Sequence, residues 1–296
     1  MGNGGENASS RCGGFALASR RDRAKVRRCV KALRHLVLVL TVAAVAVISS
    51  ARAADEGETR TMWNGFDRLD FKVEGRASVL LLPKTPAPGR PWIWRMDDFD
   101  SEPQVDLALL ARGWHVAYMD VKGLYGAPRA IALMGSYYAH ALAFFDLSKR
   151  VVLEGFGVGG LAAFNFAVAH PTRVAALSLD APVLDIRSWP GRDRSSKAWV
   201  ECLAAYNFSE TSAAAYKAGP LDRIEVVARA GIPIIAVCSQ ADTEVSFAEN
   251  AAVLAKRYRE LNGDIQMILK PGAEPLPHGL KDPMPVVDFL LKRALF

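Results

Sequence analysis

The chain has 296 residues, 51% of them apolar and 23% charged, enough to bury a large core and too apolar for a disordered or low-complexity protein. Its formal charge of +6 invites a nucleic-acid reading, but ten of the 37 Lys/Arg and only two of the 31 Asp/Glu fall within residues 1–53. Residues 54–296 therefore hold 27 basic and 29 acidic side chains, a balance that excludes a basic surface for a phosphate backbone, and no nucleic-acid partner is expected.

The basic excess has its own explanation. Leu36–Ile48 is apolar except for Thr41, follows a long positive segment and precedes Ser49-Ser50-Ala51-Arg52-Ala53. That is the layout of a secretory signal peptide, with cleavage expected after Ala53 and an exported, periplasmic or extracellular product. Thirteen helical residues would cover about 20 Å, short of the ~30 Å hydrocarbon core, so membrane attachment is expected only through this segment and only if it stays uncleaved. Arg27-Arg28 leaves a twin-arginine route open beside the general one. After cleavage Cys202 and Cys238 remain, expected as two buried thiols with pairing as the alternative in an oxidising compartment. Four histidines remain, without Cys-x-x-Cys or His-x-x-x-His spacing, and neither a metal nor another cofactor is expected.

From residue 54 the predicted elements run as follows. Asp67–Leu82 reads as a hairpin turning at Glu74-Gly75, and Pro91–Arg95 as a short strand. Ser101 is a plausible N-cap for a helix through Ala111, followed by a strand Trp114–Val121. A helix within 127–146, a buried strand Arg150–Glu154, a helix Val158–Ala169 and a strand Val174–Asp180 come next. Between Ala181 and Gly231 strand signals give way to short helical stretches, which reads as an inserted cap. Alternation resumes with strand Ile232–Cys238, helix Ser246–Leu261, strand Asp264–Leu269 and helix Met284–Ala294. Strands alternating with helices predict one α/β domain, a mostly parallel central sheet flanked by helices with a small helical cap.

Two readings compete for Val151-Val152-Leu153-Glu154-Gly155-Phe156-Gly157-Val158-Gly159-Gly160, a strand, a glycine-rich turn and a helix start. The glycines satisfy G-x-G-x-x-G, but the motif sits on a late strand instead of opening the fold, which weakens dinucleotide binding; Asp180, about 20 residues on, serves as well as a loop acid. The other reading is the nucleophile elbow G-x-S-x-G, whose sharp turn lifts a serine to the sheet's tip while the next N–H helps bind an oxyanion. Leu153-Glu154-Gly155, Gly159-Gly160, Asp180-Ala181-Pro182-Val183, Ser188-Trp189-Pro190-Gly191, Ala241-Asp242 and His278-Gly279-Leu280-Lys281-Asp282-Pro283 together resemble the α/β-hydrolase family, in particular an exported bacterial esterase- or peptidase-like branch, over about residues 65–296.

That resemblance implies a Ser–acid–His triad, and the chain departs from it at the working atoms. The serine position is Gly157, which carries no nucleophile. The acid position is filled by Asp242. The base position falls on Pro275 or Leu276, with His278 two or three residues beyond and its reach left open. Val158 N–H and an amide near Trp94 or Arg95 are the expected oxyanion donors. Losing the serine or histidine of a serine protease lowers kcat by about 2 × 10⁶, leaving about 10³–10⁴ over water. The sequence therefore predicts an exported pseudo-hydrolase, catalytically impaired, that keeps a pocket for an ester- or carboxylate-like small molecule. An active ester or peptide-bond hydrolase using another nucleophile or an activated water is the alternative, and a non-catalytic protein-binding or structural role a further one. On this placement of the base, Gly157→Ser is expected to destabilise by roughly 1 kcal/mol without restoring esterase activity. Trp92, Trp94, Phe99, Trp189, Tyr137 and Tyr138 are candidates for either cleft or core.

Overall fold

The computed structural model describes residues 57–97, 99–270, 278–294 and 296; the expected leader at 1–53, with its cleavage point, and the expected base positions Pro275 and Leu276 lie outside them. Nine strands form one sheet: β1 Thr59–Trp63, β2 Phe66–Val73, β3 Arg76–Leu82, β4 Trp92–Arg95, β5 His115–Met119, β6 Val151–Phe156, β7 Val174–Asp180, β8 Ile234–Ser239 and β9 Ile265–Lys270, in the order β1-β2-β3-β5-β4-β6-β7-β8-β9. The first three strands and the β3/β5 contact are antiparallel. From β5 through β9 every pairing is parallel.

Among the described residues the α-helices are α1 Gln104–Leu110, α2 Pro128–Phe145, α3 Gly159–Ala169, α4 Lys197–Tyr206, α5 Glu210–Ala214, α6 Ile224–Arg229, α7 Ala251–Glu260 and α8 Met284–Arg293. Side chains alternate across the strands, so β4 sends Trp92 and Trp94 to one face and Ile93 to the other, and β6 divides Val151 and Leu153 from Val152 in the same way. The first face is covered by α2, α3, α6 and α7, the second by α1 and α8. Burial on both faces is why the parallel strands read as continuous apolar runs. The segment expected as a cap carries α4, α5 and α6, and Trp199, Cys202, Tyr206 and Ala213 form a separate small core with Tyr125, Leu161 and Ile186.

Three expectations need correction. Strand β1 was not anticipated: four of its five residues are exposed, so it leaves no apolar pattern. Ser101 does not cap a helix; α1 begins three residues later behind Pro103, and the Ser101 carbonyl accepts a hydrogen bond from Arg95 instead. The helix expected from Ser246 starts at Ala251, Ser246 capping a short 3₁₀ turn ahead of it. Cys202 and Cys238 are free and buried, each thiol pushed up to about 12 by burial. Among the described residues no helix is long and apolar enough to cross a membrane, and no group of His, Cys, Asp and Glu could hold a metal ion.

Candidate active site

Strand β6 is buried along its whole length and ends at Phe156. Gly157 then takes φ +46°, a left-handed conformation that reverses the chain into α3. The turn is tied down on both sides: Gly157 N–H donates to Asp180 O (2.9 Å), and Gly157 O accepts from Val183 N–H (2.8 Å). A Cβ at Gly155 would stand 2.9 Å from the Gly159 backbone, so glycine there lets the strand and the following helix close up. The glycine spacing that matched a dinucleotide fingerprint is accounted for by this close packing.

At Gly157 the surroundings are open. A Cβ built there meets one atom within 4 Å, the Nε2 of His278 at 4.0 Å. The His278 ring is held by Asp180, the last residue of β7: Nδ1 lies 2.6 Å from Asp180 Oδ1, and Asp180 Oδ2 accepts the Gly279 N–H at 2.8 Å. The carboxylate is 4% exposed and the imidazole 14%. With Nδ1–H donating to the carboxylate, Nε2 presents its lone pair toward the elbow. An oxygen on Gly157 Cβ, about 1.4 Å further out, would fall within hydrogen-bond reach of that nitrogen. Val158 N–H has no acceptor among the described residues and so stays available to an oxyanion.

Asp242, expected as the acid, does not share this arrangement. Its Oδ1 accepts the amides of Glu244 (3.0 Å) and Val245 (2.8 Å) within its own loop, and the carboxylate on His278 is Asp180. Asp180, read from the sequence as a loop acid, is instead the last residue of β7. It lies directly across from Phe156 in the β6/β7 register, one residue before the elbow. Asp185, by contrast, pairs with Arg187, at 2.8 Å.

Trp94 and Arg95 do not supply the second oxyanion donor. Both lie inside β4 between β5 and β6, where backbone N–H groups belong to the ladder, and the next amide, Met96 N–H, donates to Glu154 O. The Arg95 side chain is buried, its Nη1 2.7 Å from Asp106 Oδ2. Asp97, on the loop that follows, is the residue that approaches the elbow: a Cβ at Gly159 would stand 3.1 Å from its Cβ. Trp92, Trp94 and Tyr137 are fully buried and stack on one another in the core, so they line no cleft.

Other nucleophiles at the carboxyl edge are unsuited. Cys238 is buried, and both burial and the nearby Asp180 charge keep its thiol protonated. Ser239, 1% exposed, accepts the Ala241 amide. Together with Asp242 and Pro182 these residues border a cavity of about 10 Å³, room for no more than a water molecule.

No protein-family profile matches the chain, and neither does any curated protein. Solved structures do. Porphyromonas gingivalis dipeptidyl peptidase 4 superposes with a TM-score of 0.59 at 14% identity over 80% of this chain and 35% of its own. Pyrococcus horikoshii acylaminoacyl peptidase gives 0.56 at 10% identity over 80% and 41%, and an acylaminoacyl peptidase bound to Z-Gly-Gly-Phe-chloromethyl ketone gives 0.57 at 10% identity, again over 80% and 41%. The chain thus spans well under half the length of these peptidases. At such identities the likeness speaks for architecture, and with the sheet order and the strand-turn-helix at Gly157 it establishes that this chain has the α/β-hydrolase fold.

Proposed function

We propose that this protein is a hydrolase-fold protein impaired for covalent catalysis, which binds an ester- or carboxylate-like small molecule at the elbow. One observation carries the reading: the His278–Asp180 pair faces a position, Gly157, that has no attacking atom. His278 still accepts a hydrogen bond from whatever occupies that space, and Val158 N–H still polarises a carbonyl or holds a carboxylate oxygen. What is missing is the bond-forming oxygen.

The test is labelling by an active-site-directed fluorophosphonate. The wild-type protein is expected to stay unlabelled and the Gly157→Ser protein to react. This reverses the expectation from sequence, which put the base position on Pro275 or Leu276 and left the reach of His278 open. Labelling of the wild type would reveal a nucleophile elsewhere and overturn the proposal.

A second reading has an observation in its favour, since an intact imidazole–carboxylate pair beside an open position is also what activation of a water requires. Slow turnover of an activated ester by the wild type, lost on Asp180→Asn, would favour it. The leader-like layout of residues 1–53 supports export of either form; N-terminal sequencing of the secreted product, expected to begin at Ala54, tests it.

A further inference from the structure

On the sheet face covered by α1 and α8, the layer under the elbow holds buried charges. Arg95 of β4, Glu154 of β6 and Asp106 of α1 are 1–2% exposed. Arg95 Nη1 lies 2.7 Å from Asp106 and 3.5 Å from Glu154 Oε2, and its other guanidinium nitrogens reach the carbonyls of Asp97 and Ser101. Burial, and after it the neighbouring Asp106 carboxylate, pushes the Glu154 carboxyl up to about 8. The guanidinium is thus fixed from several directions. A buried ionic group of this kind is seldom more stabilising than apolar residues of the same size, so its placement calls for another role.

That role is suggested by what lies against it. Arg95 Cζ is 4.3 Å from the centre of the Phe156 ring, and Phe156 stacks on the His278 imidazole with centroids 5.3 Å apart and planes 22° from parallel. Register explains the alignment: Arg95 pairs with Glu154 across β4/β6, Phe156 lies two residues along the same strand, and Phe156 pairs with Asp180 across β6/β7. Guanidinium, phenyl ring, imidazole and carboxylate therefore share one face of the sheet. We propose that Phe156 is the positioning residue for His278, its ring held against the fixed Arg95 guanidinium so that the imidazole keeps the plane from which Nδ1 meets Asp180 and Nε2 faces Gly157. The geometry stands by itself; its consequence for turnover rests on His278 being the base of the proposed site.

The test reads the ring directly in the full-length protein by proton NMR. In the wild type, the His278 ring protons should show contacts to the Phe156 ring and an upfield ring-current displacement, and the Nδ1 proton should give a strongly deshielded, slowly exchanging resonance. In Phe156→Leu that resonance should be lost or broadened while the rest of the spectrum stays dispersed, and in Phe156→Tyr, which keeps the stacked ring, it should be retained. In the Gly157→Ser background, Phe156→Leu should lower kcat about tenfold with KM unchanged. A resonance that persists in folded Phe156→Leu protein overturns the inference, and so does the absence of ring contacts in the wild type, which needs no variant to fold. A Gly157→Ser protein that never turns over would instead count against the reading of the site, leaving the ring measurements to decide this one.

Discussion

Asp180 ends β7 and Asp242 follows the neighbouring parallel strand β8 at the same edge of the sheet, yet one holds the imidazole and the other closes its own loop. The difference lies two residues downstream. An aspartate readily satisfies itself by accepting the N–H of residue i+2. Asp242 does so, with Glu244 as the donor. For Asp180 the i+2 residue is Pro182, which has no N–H, and the intervening Ala181 is bent to φ +41°. Denied a local donor and buried at the end of β7, the Asp180 carboxylate must find partners elsewhere, and it finds them 98 and 99 residues away in His278 and Gly279.

The largest effect that bears on this comparison is expected in the Gly157→Ser background, where hydrolysis of p-nitrophenyl esters should rise well above the wild type, at roughly 1 kcal/mol in stability for a side chain at positive φ. Adding Asp180→Asn should then remove about 10⁴-fold of kcat, the order seen when a serine protease's triad aspartate becomes an amide and the imidazole takes the wrong tautomer. The Asn side chain keeps the shape and one acceptor, so the fold should survive, and retained turnover in this double variant would show that Asp180 does not orient the base.

Next in size is a pH effect from the charged layer beneath the elbow. Burial first, and then the neighbouring Asp106 charge, raises Glu154 from 4.5 to about 8. Between those values the folded protein keeps a proton that the unfolded chain has released, so stability falls as pH rises, by up to about 1.4 kcal/mol per pH unit, and levels off above about pH 8. Asp106 is shifted in the same direction, mainly by burial. Glu154→Gln removes the group that titrates, and its urea midpoint should decline less steeply from pH 5 to 8 than that of the wild type. Parallel curves for the two proteins would mean that Glu154 is ionised in the native state.

Legibility from sequence followed burial. Strand β7 can be read to the residue, because Val174–Leu179 is apolar except for Ser178 and buried on both sides. Strand β1, exposed at the edge, and the true start of α1, where no side chain caps the helix, leave no comparable mark. The elbow was legible because its conformation demands glycines at fixed spacing. Its acid was not read correctly, although Asp-Ala-Pro against Asp-Thr-Glu already distinguishes a carboxylate with no i+2 donor from one that has it. What the chain order does not display is register: nothing local announces that Asp180 lies across from Phe156, or that Arg95 lies across from Glu154.

The smallest expected effect is the sharpest check on the contrast between the two aspartates. Asp242→Asn preserves the Oδ1 that accepts the Glu244 and Val245 amides, and the side chain is only half-buried, so stability should change by no more than about 0.5 kcal/mol. In the Gly157→Ser background, ester turnover should stay within about twofold, since the carboxylate hydrogen-bonded to His278 is Asp180 and Asp242 accepts from its own loop. A drop comparable to that of Asp180→Asn would invert the assignment: it would require the imidazole to leave a 2.6 Å contact with a carboxylate that is 4% exposed and turn toward the β8 loop during turnover. Measuring both amide substitutions side by side therefore separates an acid fixed by register and burial from one supplied by a loop that already satisfies itself.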